Sequence, residues 1–469
     1  MFIDANKTTD RNASHKVSKG AAGYVLRISL TAALAGFIFG FDTVVISGAN
    51  LPIKQLWQTS PWFHGFFIMS MALWGTVVGA IFGGIPTEKW GRKKVLFWIG
   101  IFFTVSAIGS ALAPEPYTFS IMRFLGGLGI GVSSVAAPTY VSEISTPATR
   151  GRLVALYQFN IVFGILVAFL SNYFLEGVGG ENDWRYMLGV MAVPSILYSL
   201  LVIGIPESPR WLVAKRGDTA GARKVMTKLG VADVEAELAT VVESNEHQER
   251  AGTGSGIFSA KYKRIMWLAF MVAFFNQVSG INFILYYAPE ILERAGLAAK
   301  ESLFNSIAIG GTNLVFTFVG LYLIDRIGRK TLLIIGSLGY IISLAAVAWC
   351  FYAAAGPGLL LTCLLLFIAS HAIGQGAVIW VFISEIFPNN VRALGQSFGA
   401  SIHWVFAALI TLITPVFLDA KNGIFKDNPW PIFGFFAFMM VLQLVWVVTK
   451  VPETKGVSLE DLEKRLVKE

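Results

Sequence analysis

Long apolar runs broken by short polar clusters dominate this chain. Twelve runs reach the roughly 20 residues needed to cross a hydrocarbon core of about 30 Å. They lie at 24–46, 62–85, 95–113, 117–142, 153–175, 186–205, 264–289, 302–324, 331–353, 357–384, 393–418 and 430–450. The runs are continuous and not alternating, which predicts membrane-spanning helices and excludes the strands of a barrel. Orientation follows from the basic residues. With both termini cytoplasmic, 30 of the 37 Lys and Arg fall on the inner side and six on the outer (Lys54, Arg185, Arg294, Lys300, Lys421, Lys426), while Arg123 lies in or at the edge of a run.

The polar clusters repeat. Glu88-Lys89-Trp90-Gly91-Arg92-Lys93 returns as Asp325-Arg326-Ile327-Gly328-Arg329-Lys330. Ser142-Glu143-Ile144 with Arg150 returns as Ser384-Glu385-Ile386 with Arg392, and Pro206-Glu207-Ser208 as Pro452-Glu453-Thr454. The offsets are 237, 242 and 246 residues, and each motif follows the second, fourth or sixth run of its half. The expected architecture is therefore all-α: twelve transmembrane helices in two pseudo-symmetric six-helix bundles. Residues 1–206 form the first and 263–469 the second, which ends in a short cytoplasmic tail. Residues 207–262 form a hydrophilic cytoplasmic linker in which Asp218 and Asp233 cap short helices and 251–256 is a Gly-rich joint.

Composition removes the competing classes. Hydrophobic residues make up 55% and charged residues 14% of the 469, with a mean hydropathy of +0.63, against roughly a quarter charged in soluble domains. The net charge of +8 is scattered between apolar runs, so no continuous basic face for nucleic acid is expected. Cys350 and Cys363 both lie in apolar runs, which excludes a disulfide framework. The polar stretch before the first run is too long for a cleaved leader, and that run reads as a retained helix. No metal-ligand spacing, catalytic nucleophile or phosphate loop appears, so no cofactor, metal or enzymatic activity is expected. The glycines from Gly126 to Gly131 lack the strand a dinucleotide fold requires.

The repeated motifs, the linker and several specific strings resemble the sugar porter family of the major facilitator superfamily. These strings are Gly40-Phe41-Asp42-Thr43, Arg123-Phe124-Leu125-Gly126-Gly127, Pro206-Glu207-Ser208-Pro209-Arg210-Trp211-Leu212, Gly280-Ile281-Asn282 with Tyr286-Tyr287, Ser384-Glu385-Ile386-Phe387-Pro388, and Pro452-Glu453-Thr454-Lys455-Gly456. The bacterial proton-coupled xylose and monosaccharide symporters are the most similar branch. The resemblance implies alternating-access transport of a monosaccharide, a pentose or hexose such as xylose or glucose, together with a proton. The alternative is an uncoupled facilitator of sugars or polyols such as inositol. The partners are then a small sugar, a proton and the lipid bilayer, and the chain is expected to act as a monomer. Outer loops carry no Asn-x-Ser/Thr acceptor, which fits a multi-pass protein of a bacterial plasma (inner) membrane.

Asp42 and Arg123 are the sharpest pair. A charge within a span costs about 2.5–3.5 kcal/mol on insertion scales and usually has an interior partner. Burial favours a neutral carboxyl and a nearby guanidinium an ionised one, so moving the arginine switches the acid. The resemblance favours proton coupling, since passive members usually lack this acid.

A sugar site needs amides, which donate and accept at once, and aromatic faces for the C–H side of the ring. Gln158, Asn276, Gln277, Asn282, Tyr286, Asn313, Trp380 and Trp404 supply them, at positions matching the family's binding residues. On a straight helix Asn276, Asn282 and Tyr286 share an arc of about 120° and Gln277 lies outside it. A break at Gly280 brings all four to one cavity.

Several departures from the family bear on the sugar. Asn276-Gln277 replaces the usual Gln pair, Gly376-Ala377 the usual Gly-Pro, Glu88 the customary Asp, and His403 stands where an amide is usual. His371 reads as packing. Arg92, Glu143, Arg150, Arg329, Glu385 and Arg392 form the expected cytoplasmic gate.

Overall fold

The computed structural model describes residues 19–251, 257–388, 391–457 and 459–466, which contain helices and no strand. Eleven helices are long and apolar enough to cross a bilayer, and the bent pair Pro61–Met69 and Met71–Phe82 makes a twelfth. The first span is Lys19–Trp57, the third Arg92–Leu112, the fourth Pro116–Ile144 and the fifth Pro147–Leu175. The eighth is Ala299–Ile327, the ninth Arg329–Tyr352, the eleventh Arg392–Leu418 and the twelfth Trp430–Lys450.

The remaining four are broken. The second bends by 44° where a π-helical turn, His64–Met69, meets Met71–Phe82. The sixth divides into Asp183–Gly189 and Ala192–Ile203, and the seventh into Lys263–Val278 and Ile281–Arg294. The tenth divides at Gly374 into Pro357–Ile373 and Gln375–Ile386. Only the seventh break is expected from the sequence. The second-span break has no proline or glycine at its bend, and π turns of this kind arise from one extra residue in the helical ladder.

The halves meet along three seams. The first span packs against the outer segment of the seventh, the second against the eleventh, and, as the repeat requires, the eighth against the fifth. The linker supplies Pro209–Arg216, Thr219–Leu229 and Val234–Ala251. Asp218 accepts from Gly221 N–H at 2.7 Å and Asp233 from Ala236 N–H at 2.9 Å, so both expected caps form. A small separate core of Trp211, Leu212, Met226 and Leu238 holds these helices together. The expected joint at 251–256 lies, apart from Ala251, outside the described residues.

Candidate functional site

Asp42 and Arg123 meet inside the first bundle, at 0% and 2% exposure. Arg123 Nη1 donates to Asp42 Oδ1, and Nη2 donates to the Asp42 backbone carbonyl at 3.2 Å. Asp42 Oδ2 and Arg123 Nε have no hydrogen-bond partner among the described residues. The pair is therefore buried but only half satisfied, and one carboxyl oxygen is left able to take a proton. Ser106 Oγ, itself without a partner, lies in the same space beside Gly126.

The seventh span assembles the amides. Gly280 sits at φ +87°, a conformation that costs other residues, and ends the helix after Val278–Ser279. Across this break Asn282 Nδ2 donates to Gln277 Oε1 at 2.7 Å, and Gln277 Nε2 donates to Asn276 Oδ1 at 2.9 Å. Gln277 Nε2 also lies 3.1 Å from His403 Nδ1. The His403 ring is 5.0 Å from that of Trp380 and 4.7 Å from that of Trp404, while Trp404 packs 5.5 Å from Phe39 on the first span. Tyr286 is buried with its hydroxyl at Thr43, the residue after Asp42, so the seventh span carries the amide cluster and also reaches the first span beside Asp42. Half-buried Gln158 and buried Asn313 make no hydrogen bond among the described residues and do not join this cluster. They sit on the mutually packed fifth and eighth spans, with amide groups uncommitted. His371 is not inert packing: its Nδ1 is bonded to Tyr340 Oη at 2.6 Å.

The repeated motifs converge in three dimensions. Arg92 binds Glu143 through two nitrogens at 3.0 and 2.9 Å, and Arg329 binds Glu385 the same way at 3.1 and 2.7 Å. Arg92 Nη2 also reaches Glu88 at 2.8 Å and Arg329 Nη1 reaches Asp325 at 2.9 Å. Glu207 accepts from Lys93 N–H and Glu453 from Lys330 N–H, both at 3.0 Å, so the third motif closes each cluster. The acids thus pair with Arg92 and Arg329 and not with Arg150 and Arg392, which donate to the carbonyls of Ser142 and Phe387. Both pairing arginines are buried, so these pairs are stronger than ion pairs on an exposed surface. Each cluster lies within its own half.

Comparison with known proteins decides the family. The family model described as "Sugar (and other) transporter" matches residues 28–466. The chain belongs to the sugar transporter family. It is 35% identical over 452 residues to the arabinose-proton symporter of Bacillus subtilis (strain 168), covering 95% of this chain and 96% of that protein. It is 31% identical over 477 residues to the D-xylose-proton symporter of Escherichia coli (strain K12), covering 94% and 96%. Its fold matches the inward-open conformation of the xylose transporter XylE from E. coli with a TM-score of 0.81 and 30% identity, covering 94% and 100%. The protein is thus a transporter of the major facilitator type and not an enzyme.

In this transporter polar links between halves gather at the end of the bundle remote from the repeated motifs. Lys54 pairs with Asp419, and Lys300 with Glu176 at 3.3 Å. Asn50 Nδ2 donates to Glu290 at 2.7 Å. Asn50 Oδ1 must then accept from His64 Nε2, 2.8 Å away, which leaves His64 Nδ1 to accept from the Thr59 hydroxyl at 2.8 Å. A directed chain Thr59–His64–Asn50–Glu290 therefore crosses the seam between the first, second and seventh spans. None of these residues was expected as functional. The available signal was a histidine and an acid placed inside apolar spans.

Proposed function

We propose that the chain is a proton-coupled symporter of a monosaccharide, a pentose or hexose, working by alternating access between its two halves. Asp42 binds the driving proton at Oδ2 and Arg123 governs its release. The sugar lies against Asn276, Gln277, Asn282 and His403, flanked by Trp380 and Trp404, with Gln158 and Asn313 approaching from the fifth and eighth spans. Tyr286 ties the two events together. One observation carries this reading: a buried carboxylate with a free oxygen stands beside the broken helix that presents the amides. The family's named arabinose and xylose symporters agree with the class.

The deciding test is uptake by purified protein in vesicles, with labelled sugar, a competing panel of pentoses, hexoses and polyols, and external pH recording. Coupled transport alkalinises the medium as sugar enters. Sugar entry with no proton movement would instead favour the uncoupled facilitator.

Two residue-level results are expected. Gln277→Ala loses the donor shared by Asn276 and His403 and the acceptor of Asn282, leaving buried polar groups unpaired at about 1–3 kcal/mol each. Calorimetric sugar affinity should fall at least tenfold. His403→Asn, which restores an amide, should keep affinity within a few-fold, whereas His403→Leu should lose it.

The cytoplasmic clusters act as the inner gate, their arginines and acids exchanging partners between halves when that side closes. Glu143→Gln removes the carboxylate that holds Arg92. It should shift the inward/outward population about tenfold, a change of about 1.4 kcal/mol. Paired-probe distances across the cytoplasmic face measure this, and identical distributions would remove the gate from the proposal.

A further inference from the structure

On the lipid-facing side of the first bundle, a groove of about 600 Å³ opens at the cytoplasmic edge between the third span, the end of the sixth and the first linker helix. Its volume falls within the range of small-ligand clefts, about 300–1,000 Å³. Phe97, Val202 and Ile203 supply its apolar wall, and Trp90 and Trp98, both about half exposed at 52%, stand at its margin. Tryptophans favour this level of a bilayer because the ring is amphipathic.

The charges in the groove divide into committed and free groups. Glu207, the acid in the lining, accepts from the backbone N–H groups of Lys93 and Ser208. Lys93 Nζ donates to the Ile203 carbonyl at 2.8 Å. Lys94 and Arg216 are exposed, and neither makes an ion pair among the described residues. Arg216 rests 5.4 Å from the Trp211 ring, which fixes its guanidinium over the groove.

The repeat supplies an internal control. The second half keeps the scaffold: Lys330 Nζ donates to Val448 O at 3.0 Å as Lys93 does to Ile203, and Glu453 matches Glu207. Yet the positions equivalent to Trp90, Lys94 and Trp98 are Ile327, Thr331 and Ile335, and past Glu453 the second half continues into the helix Leu459–Leu466 where the first half has Pro209–Arg216. Fold maintenance does not need Trp90, Lys94 or Trp98, since the other half carries Ile327, Thr331 and Ile335 in their places.

We propose that this groove binds one anionic phospholipid of the cytoplasmic leaflet. Its phosphate-bearing headgroup lies between Lys94 and Arg216, and an acyl chain runs along Phe97, Trp98 and Ile203. Basic pockets beside spans on the cytoplasmic side have the charge and position that such headgroups require. The occupant is a bilayer lipid because the groove joins two exposed cations to an apolar wall on helices long and apolar enough to span a bilayer.

The test uses the purified full chain in detergent, offered phosphatidylglycerol or phosphatidylcholine with identical acyl chains, with retained lipid counted by native mass spectrometry. One phosphatidylglycerol should be held about thirtyfold more tightly than phosphatidylcholine, the size expected from two cations. The double variant Lys94→Gln/Arg216→Gln should erase the preference, and Trp98→Ala should weaken retention of both lipids. Lys228→Gln, which removes an exposed linker charge elsewhere, should leave the preference intact. Equal retention of the two lipids, an unchanged double variant, or an equal loss in Lys228→Gln would overturn the site. The readout is binding, so it stands apart from any failure of the transport reading.

Discussion

Vesicles carrying Asp42→Asn should equilibrate sugar across the membrane and never concentrate it. With a gradient of one pH unit and one proton per sugar, the native protein has about 1.4 kcal/mol available, enough for about tenfold accumulation. The variant should show a ratio of one. Asparagine keeps the size of aspartate, and its amide oxygen still accepts from Arg123 Nη1. The position that is free in Asp42 becomes an NH₂ that cannot lose a proton, so the site is locked in the equivalent of its protonated state. Sugar exchange, which needs no release of the proton, should persist. The substitution leaves the buried Arg123 charge uncompensated, and losing one partner of a buried pair costs about 3–5 kcal/mol. A lowered melting temperature is therefore expected, and exchange activity serves as the control for folding. Accumulation at the native level would remove Asp42 from coupling altogether.

How much of this was legible in the chain depends on whether a feature is local, repeated or assembled. The twelve spans follow from hydropathy alone, because a bilayer of fixed thickness sets their length. The clusters were visible since each motif occurs twice, although the motif that holds Glu143 and Arg150 does not reveal that Glu143 binds Arg92. Spacing along one helix says little about a partner 51 residues away. The seventh-span break was legible from Gly280, and it places Gln277 beside Asn276 and Asn282 although a straight helix does not. The second-span break was not, because the π turn His64–Met69 carries no proline and its one glycine, Gly65, is one of many within the spans. Lys54 read only as one of the six outer basic residues. Asn50, His64 and Glu290 occur once each, on three spans, and only the closed seam brings them together.

That seam yields the second large effect: Asn50→Leu should open the outer side. In the closed arrangement Asn50 is buried and serves two partners at once, Glu290 across the seam and His64 on its own half. Leucine fills the space and satisfies neither, so a carboxylate and an imidazole N–H are left buried and unpaired at about 1–3 kcal/mol each. When the halves part at this end, water reaches both groups and the penalty vanishes. It therefore acts on one state only, and a cost confined to one state shifts the equilibrium by its full amount. Two such groups give a shift of about a hundredfold toward the outward-open form. Leu412, partly buried on the eleventh span near the same seam, offers a reporter. In a Leu412→Cys background, a membrane-impermeant maleimide added from outside should label Asn50→Leu protein far faster than protein that keeps Asn50. The native Cys350 and Cys363 are buried and give a low background. If the labelling rates match, the Thr59–His64–Asn50–Glu290 chain does not hold this side shut, and closure rests on the Lys54–Asp419 and Lys300–Glu176 pairs and on apolar packing. If labelling rises while Asp42-dependent accumulation collapses, the outer closure and the buried acid belong to one cycle. A symporter that can no longer shut its outer side has no way to carry the proton and the sugar through together.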